Sequence, residues 1–334
     1  MTVLFLGIDL GATNIAAALV DESGSIIRSS STPTLSVRPA TQVIDDMVAL
    51  SLRLIGDEGL TEQDIAALGV GIPGIVSSET GVVHLCPNLF WQQLPLKDML
   101  QTHLSMPVHI TNDANCAALA ELQVGAFRSR QSAVLITLGS GIGGAVILGG
   151  KLHSGAHGAA GEIGHMVVEL CGELCACGNR GCFERYASAD ALMRMYSADA
   201  STRMYSADAS TRMNSASNTT DIPTGKTHTA KEIIAAAKNG EPTATAVFEK
   251  YVYSLAKGIV SIINLYDPEI IALGGGISHA GDFLLQTVRK EVSKHLFLKD
   301  CPSAEIVLAT LGNEAGIIGA ALYAMQKIRQ IKCL

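Results

Sequence analysis

Leu4-Phe5-Leu6-Gly7-Ile8-Asp9-Leu10-Gly11-Ala12-Thr13-Asn14-Ile15-Ala16-Ala17-Ala18-Leu19-Val20 sets two apolar runs either side of a glycine turn that carries an acid and a hydroxyl. Leu4–Asp9 and Ile15–Val20 read as strands, Asp21-Glu22-Ser23-Gly24 as the next turn, and Ser25–Ser30 as a strand leading away. The pattern returns later in the chain. Ala133–Leu138 is an apolar run, Leu138-Gly139-Ser140-Gly141-Ile142-Gly143-Gly144 is a glycine-rich turn with a hydroxyl, and Ala145–Leu148 runs back. The repetition predicts two related α/β lobes facing each other, with one phosphate-gripping hairpin on each side of a cleft.

The remaining elements fit between these anchors. Val43, Ile44, Met47, Val48, Leu52 and Ile55 fall mostly at helical spacing, which predicts a helix over about 40–56. Ile65–Ile72 is a buried strand broken by Pro73-Gly74. Pro107–Ile110 is a strand, followed by an Ala-rich helix over Asp113–Gly125. Helices are expected at about 230–239 and 243–266, strands at Glu269–Leu273 and Glu305–Ala309, and a closing helix at Asn313–Gln326. One lobe is expected over 1–111 with a C-terminal helix at about 314–329, and a larger one over 112–313.

A chain of 334 residues that is 48% hydrophobic holds about two domains and builds its core without disulfides. No stretch has the roughly 18 apolar residues of a membrane span. The first nine residues lack a basic region and meet Asp9 early, so export is not expected and the cytoplasm is. A net charge of −7 argues against nucleic acid or an anionic membrane as a main partner. One oddity carries no chemistry. Ala187–Met195 (ASADALMRM) is followed by Tyr196–Met204 and Tyr205–Met213, both YSADASTRM, and then by the Ser/Thr/Asn-rich stretch Asn214–Thr229, which reads as mobile. The period matches no solenoid and reads as a tandem duplication that lengthens a helix or feeds a loop.

Phosphoryl transfer asks a protein for positioning and for compensation of spreading negative charge. Main-chain N–H groups at glycine turns supply this, because no Cβ blocks the phosphate. Gly11 and Thr13 in the first turn, Gly139, Ser140 and Gly141 in the second, and Asp9 as a ligand for Mg²⁺ directly or through water are the candidates. Each turn alone also reads as an ordinary hairpin. Residues 139–144 match G-x-G-x-x-G, but that fingerprint has to open a helix and this one leads into a strand. There is no G-x-x-x-x-G-K-[ST], and no protein-kinase signature.

Asn112-Asp113-Ala114-Asn115 lies between a strand and a helix. A carboxylate there can accept the proton of an attacking hydroxyl. Equally, Asp113 or Asn112 can cap the helix, and both can hold with different atoms. Four of the eight cysteines crowd into a dozen positions, which in a chain without an export signal reads as metal before disulfide. His165, Cys175, Cys177 and Cys182 form H-x9-C-x-C-G-x2-G-C, a four-ligand set suited to structural Zn²⁺; Cys171 is the rival ligand, less tidily spaced and read as a free thiol, and buried free cysteines are the alternative. Glu162 and Glu184 bracket the cluster, and carboxylates are natural partners of sugar hydroxyls.

Gly155-Ala156-His157-Gly158-Ala159-Ala160-Gly161-Glu162-Ile163-Gly164-His165 and Cys175–Glu184 (CACGNRGCFE) complete a recognisable set. Asp9–Thr13, Pro87-Asn88-Leu89, Asn112–Asn115, Leu273–Ser278 and Leu311–Gly316 fit with them, and the chain resembles the ROK family of repressors and sugar kinases over its whole length, most of all the bacterial ATP-dependent glucokinases. That resemblance implies the actin/hexokinase fold, two ribonuclease-H-like lobes with ATP and sugar in the cleft. It implies Asp113 as general base; Asn88, Asn112, Glu162, His165 and Glu184 as sugar contacts; Gly274 and Gly275 near the nucleotide; and a homodimer. His165 would serve zinc with one ring nitrogen and sugar with the other. Ala12 and Ser140 depart from a frequent Gly and Thr and keep the main-chain chemistry. Glucose is the expected acceptor, with N-acetylmannosamine, N-acetylglucosamine, allose and fructose as alternatives. A sugar-responsive transcription regulator of the family is disfavoured by the early Asp9 and the net charge, and a zinc-requiring dehydrogenase by the strand after residue 144.

Overall fold

Alternating apolar residues followed by tight turns make the first three strands: β1 (Leu4–Leu10), β2 (Asn14–Asp21) and β3 (Ile26–Pro33), paired as an antiparallel meander. The computed structural model describes residues 2–209, 228–299 and 301–332. Helix α1 (Ala40–Asp57) forms where its periodicity predicts and buries Val43, Ile44, Met47, Leu50, Leu54 and Ile55 on one face; of the predicted stripe, Val48 is only partly buried and Leu52 is exposed. Strand β4 (Ile65–Ile72) is buried along its length and pairs parallel to β1. Three short strands, β5 (Ile75–Val76), β6 (Val83–Cys86) and β7 (Trp91–Leu94), form a separate antiparallel sheet. Helix α2 (Leu96–Gln101) leads to β8 (Val108–Asn112), which pairs parallel to β4. The first sheet thus has the order β3-β2-β1-β4-β8.

Helix α3 (Asp113–Val124) follows without a loop. Beyond it the first sheet's plan recurs. Strands β9 (Ala133–Leu138), β10 (Ile142–Leu148) and β11 (Lys151–Leu152) make an antiparallel meander. Helices α4 (Glu184–Ala187), α5 (Ala189–Ala209), α6 (Ala230–Lys238) and α7 (Pro242–Tyr266) come next. Strand β12 (Ile270–Gly274) then pairs parallel to β9, helix α8 (Asp282–His295) crosses, and β13 (Glu305–Leu308) pairs parallel to β12. The second sheet, β11-β10-β9-β12-β13, repeats the order and directions of the first. Helix α9 (Ala315–Lys332) ends the described chain.

The duplicated plan read from the two glycine hairpins is the observed one. Strand β10 begins at Ile142, earlier than the predicted Ala145, and a strand there removes the dinucleotide reading of 139–144. Sequence reading leaves 282–295 unassigned, although Leu284, Leu285, Val288 and Val292 form its buried stripe. The small sheet over 75–94 is also unassigned, its strands being two to four residues long. The nonapeptide repeat lengthens a helix as far as Ala209; the rest of its third copy and most of Asn214–Thr229 lie outside the described residues. In the first copy, Ala187, Ala191 and Leu192 are fully buried.

Helices α3 and α9 pack against each other and lie between the two sheets. Ala114, Ala118 and Phe127 join α3 and its following turn to Leu135, Ala145 and Ile270 of the second sheet. Ile317, Ile318, Ala321 and Leu322 join α9 to Phe5, Ala18 and Ala67 of the first. The outer face of the first sheet is covered by α1, α2 and the small sheet, and that of the second by α5 to α8. No described helix is long and apolar enough to cross a membrane.

Candidate active site

Parallel strands that end side by side release their loops at one edge, and ligands of α/β sheets collect there. A cavity of about 500 Å³ occupies this place between the sheets. Asp9, Gly11 and Thr13 line it from the first hairpin, Asp113 from the head of α3, and Gly274 and Gly275 from the end of β12. Gly275 has φ +79°, and a Cβ there would lie 2.7 Å from the main-chain N and O of Leu138, so only glycine brings this turn against the second hairpin.

The first hairpin is closed by Gly11 N–H donating to Asn14 O at 2.9 Å. Buried Thr34 braces it: its N–H donates to Thr13 O at 3.0 Å and its hydroxyl to Gly11 O at 2.7 Å. Asp9 stands against the start of α9, where a Cβ on Gly316 would come within 2.3 Å of its carboxylate. Burial, and then the neighbouring Asp113, push the Asp9 carboxyl up to about 7. Burial also raises Asp113. Two carboxylates held together with no Lys or Arg among the cavity's lining residues suit a divalent cation, which fits the expected Mg²⁺.

Asn112 is the helix cap: its Oδ1 accepts from Ala114 N at 2.8 Å and Asn115 N at 3.3 Å, while its Nδ2 donates to Gly74 O at 3.1 Å. Asp113 Oδ1 accepts from Ala114 N at 2.9 Å. Capping therefore falls mainly to Asn112, whose side chain also bonds the Asp113 carboxylate, while Asp113 lines the cavity.

The remaining predicted residues, Asn88 apart, gather elsewhere in the second lobe. Gly139, Ser140 and Gly141 close the β9–β10 turn, with Gly139 N donating to Gly141 O at 3.0 Å, and do not line the cavity. They abut Glu184, whose Oε2 lies 2.7 Å from where a Cβ on Gly141 would stand. Glu184 Oε1 in turn accepts from the Cys175 thiol at 2.9 Å. Glu162 is raised chiefly by burial, with His165 lowering it and Asp113 and Glu184 raising it further, so the three acids share one electrostatic neighbourhood. Asn88 is exposed on the turn Pro87–Leu89 after β6.

The ligand atoms of His165, Cys175, Cys177 and Cys182 all lie within 4.8 Å of one another. Cys177 Sγ is 3.6 Å from Cys182 Sγ, and Cys175 Sγ is 3.8 Å from His165 Nδ1. A tetrahedron with bonds of ~2.0–2.3 Å sets ligand atoms roughly 3.3–3.8 Å apart, so the set fits Zn²⁺. His165 turns Nδ1 to the cluster, which leaves Nε2 for another partner. Cys171 is an exposed free cysteine outside the set.

Sequence reasoning does not assign Glu121, Thr34, Thr137, Ser278, His279, Asn313 or Gly316. All but Thr34 line the cavity. Asn313 and Gly316 lie inside a quoted motif, and Glu121 is the lone acid in the interior of an Ala-rich apolar helix; Thr34 leaves no sequence signal.

Two sheets of one topology around paired helices, with a carboxylate-bearing cleft, define the actin/hexokinase-like class of fold. The sequence pattern described as ROK family matches residues 5–327, and the chain belongs to that family. A glucokinase of Streptomyces coelicolor is 35% identical over 320 residues, 95% of this chain and 96% of that protein. A solved ROK family glucokinase from Streptomyces griseus, in complex with glucose and AMPPNP, superposes with a TM-score of 0.80 at 34% identity, covering 97% of this chain and 99% of that one. A putative xylose repressor of Caldicellulosiruptor sp. is 30% identical over 95% of this chain and 76% of its own length.

Proposed function

We infer that the chain is an ATP-dependent sugar kinase and propose glucose as its acceptor, with glucose 6-phosphate as product. The observation that carries the reading is the cleft itself, in which Asp113 at the head of α3 shares one cavity with Asp9, Gly11, Gly274 and Gly275. Similarity to the two Streptomyces glucokinases supports the sugar. The lobes we assign are 1–111 with the C-terminal helix, and 112–313.

In this reading Asp113 takes the proton of the sugar hydroxyl as its oxygen attacks the terminal phosphorus. Main-chain N–H groups of the first hairpin and of Gly274-Gly275 orient the phosphates. Asp9 would hold Mg²⁺, which when bound compensates phosphate charge. Glu162, Glu184, Asn88, His165 through Nε2, and Asn112 pair the sugar's other hydroxyls, so an epimer leaves a buried group unpaired. Zn²⁺ held by His165, Cys175, Cys177 and Cys182 fixes the loop that carries Glu162 and Glu184. ATP as the donor supports a cytoplasmic enzyme in this reading.

ADP release measured with a panel of hexoses and N-acylhexosamines tests the acceptor; preference for an N-acylhexosamine, allose or fructose would replace glucose, and no hexose-dependent release would return the regulator reading. Asp113→Asn is expected to lower kcat by about 10²–10⁴-fold while sugar still binds. Ordinary turnover in that variant would remove the general base from Asp113.

A further inference from the structure

Glu121 lies eight residues after Asp113 on α3 and takes no part in the chemistry above. Its side chain is fully buried, yet it lines the cleft. One carboxylate oxygen accepts from Thr310 N at 2.7 Å and Leu311 N at 3.0 Å. The other accepts from Ala126 N at 2.6 Å and from the Thr310 hydroxyl at 2.8 Å. Gly125 makes room for it, since a Cβ there would fall 2.0 Å from Glu121 Oε2. Both oxygens are thus met by donors only, and Thr310 contributes two of the four.

Thr310 and Leu311 stand between Ala309 and Gly312, both of which line the cavity, and they begin the run through Asn313, Ala315 and Gly316 to the start of α9. That run is the wall against which Asp9 rests. A carboxylate is a costly group to bury and needs several well-placed partners, whereas an apolar side chain would fill the space at less expense. What the carboxylate adds is direction: it fixes the main-chain N–H groups of 310 and 311 in register with the helix that begins at Asp113.

We propose that Glu121 is a positioning residue for the phosphoryl donor, tying the helix that carries Asp113 to the 309–316 wall of the nucleotide side of the cleft. This rests on the kinase reading. Glu121→Gln turns one acceptor into a donor facing N–H groups. It should raise the KM for ATP and the Kd of a non-hydrolysable ATP analogue with Mg²⁺ by roughly tenfold, the size expected for a disrupted hydrogen-bond set. The Kd for glucose, titrated without nucleotide, should stay within about twofold, because the Glu162–Glu184 side is untouched. Thr310→Val keeps the shape, removes only the hydroxyl bond, and should move the analogue's Kd the same way by a smaller factor.

Equal shifts in nucleotide and glucose constants, or no shift in the analogue's Kd in a folded Glu121→Gln variant, would overturn the proposal. If Glu121→Gln does not fold, Thr310→Val decides, and an unchanged analogue Kd there counts against it. A wild-type chain that turns over no sugar would remove the kinase reading alone, since the analogue titration still measures the tie.

Discussion

Asp113 occupies the first position of α3 and lines the cleft, and its neighbour Asn112 does most of the capping. Burial raises that carboxyl, and the base has to be deprotonated to act. Lowering the pH therefore protonates Asp113 sooner than an ordinary carboxylate, whose pKa is about 4. The acid limb of kcat/KM is expected above that ordinary range, with activity falling as pH drops through it; a limb at or below pH ~4 in the rate profile would contradict the assignment. The Asn112-Asp113 pair was legible because an Asn-Asp step between an apolar strand and an Ala-rich helix is a local pattern. Which of the two caps was not, because that depends on the backbone angles at one junction. Glu121 shows the wider limit: its partner Thr310 is 189 positions away, and no spacing rule links them.

At the scale of elements, the zinc loop is held by few apolar contacts of its own. Met166 and Val168 pack the start of the 166–182 stretch against the core, but Leu170 and Leu174 are exposed, at 88% and 59%, so packing does not hold its middle in place. The metal would do that instead. Cys177→Ser is expected to lose bound zinc and to lower the melting temperature, with the KM for sugar rising because Glu162 and Glu184 lose their fixed loop. Zinc content by elemental analysis, together with a melting curve, checks this; a zinc-replete variant with unchanged melting would contradict the ligand set. The four candidate ligands were readable because they fall within eighteen residues. Helix α8 had a readable stripe, whereas the strands of the small sheet are too short for alternation to distinguish them from turns.

For the whole molecule, the decisive contact is between α3 and α9, since each helix belongs to the packing of a different sheet. Small residues let them approach. A Cβ on Gly319 would lie 1.7 Å from the carbonyl oxygen of Cys116, a main-chain atom that cannot swing away. Gly319→Ala should therefore separate the helices and destabilise the chain by about 1–3 kcal/mol or more, the usual range for overpacking. Because Asp113 heads α3 and Gly316 heads α9, kcat should fall along with stability, and chemical denaturation with a parallel activity assay measures both. A variant of wild-type stability and activity would mean that the two sheets are not joined there.

The sequence by itself determined most of the local elements and the duplicated hairpin plan, and pointed to the candidate metal-ligand set and the candidate base, because alternation, helical spacing and glycine turns act over a few residues. Only the tertiary structure decided that Asn112 caps the helix, that Asp9 rests on the start of α9, and that Glu121 holds the far wall of the cleft. Those relations join segments up to about 300 positions apart in the chain, and they exist only once two sheets close around a pair of helices and bury polar groups that must then find partners.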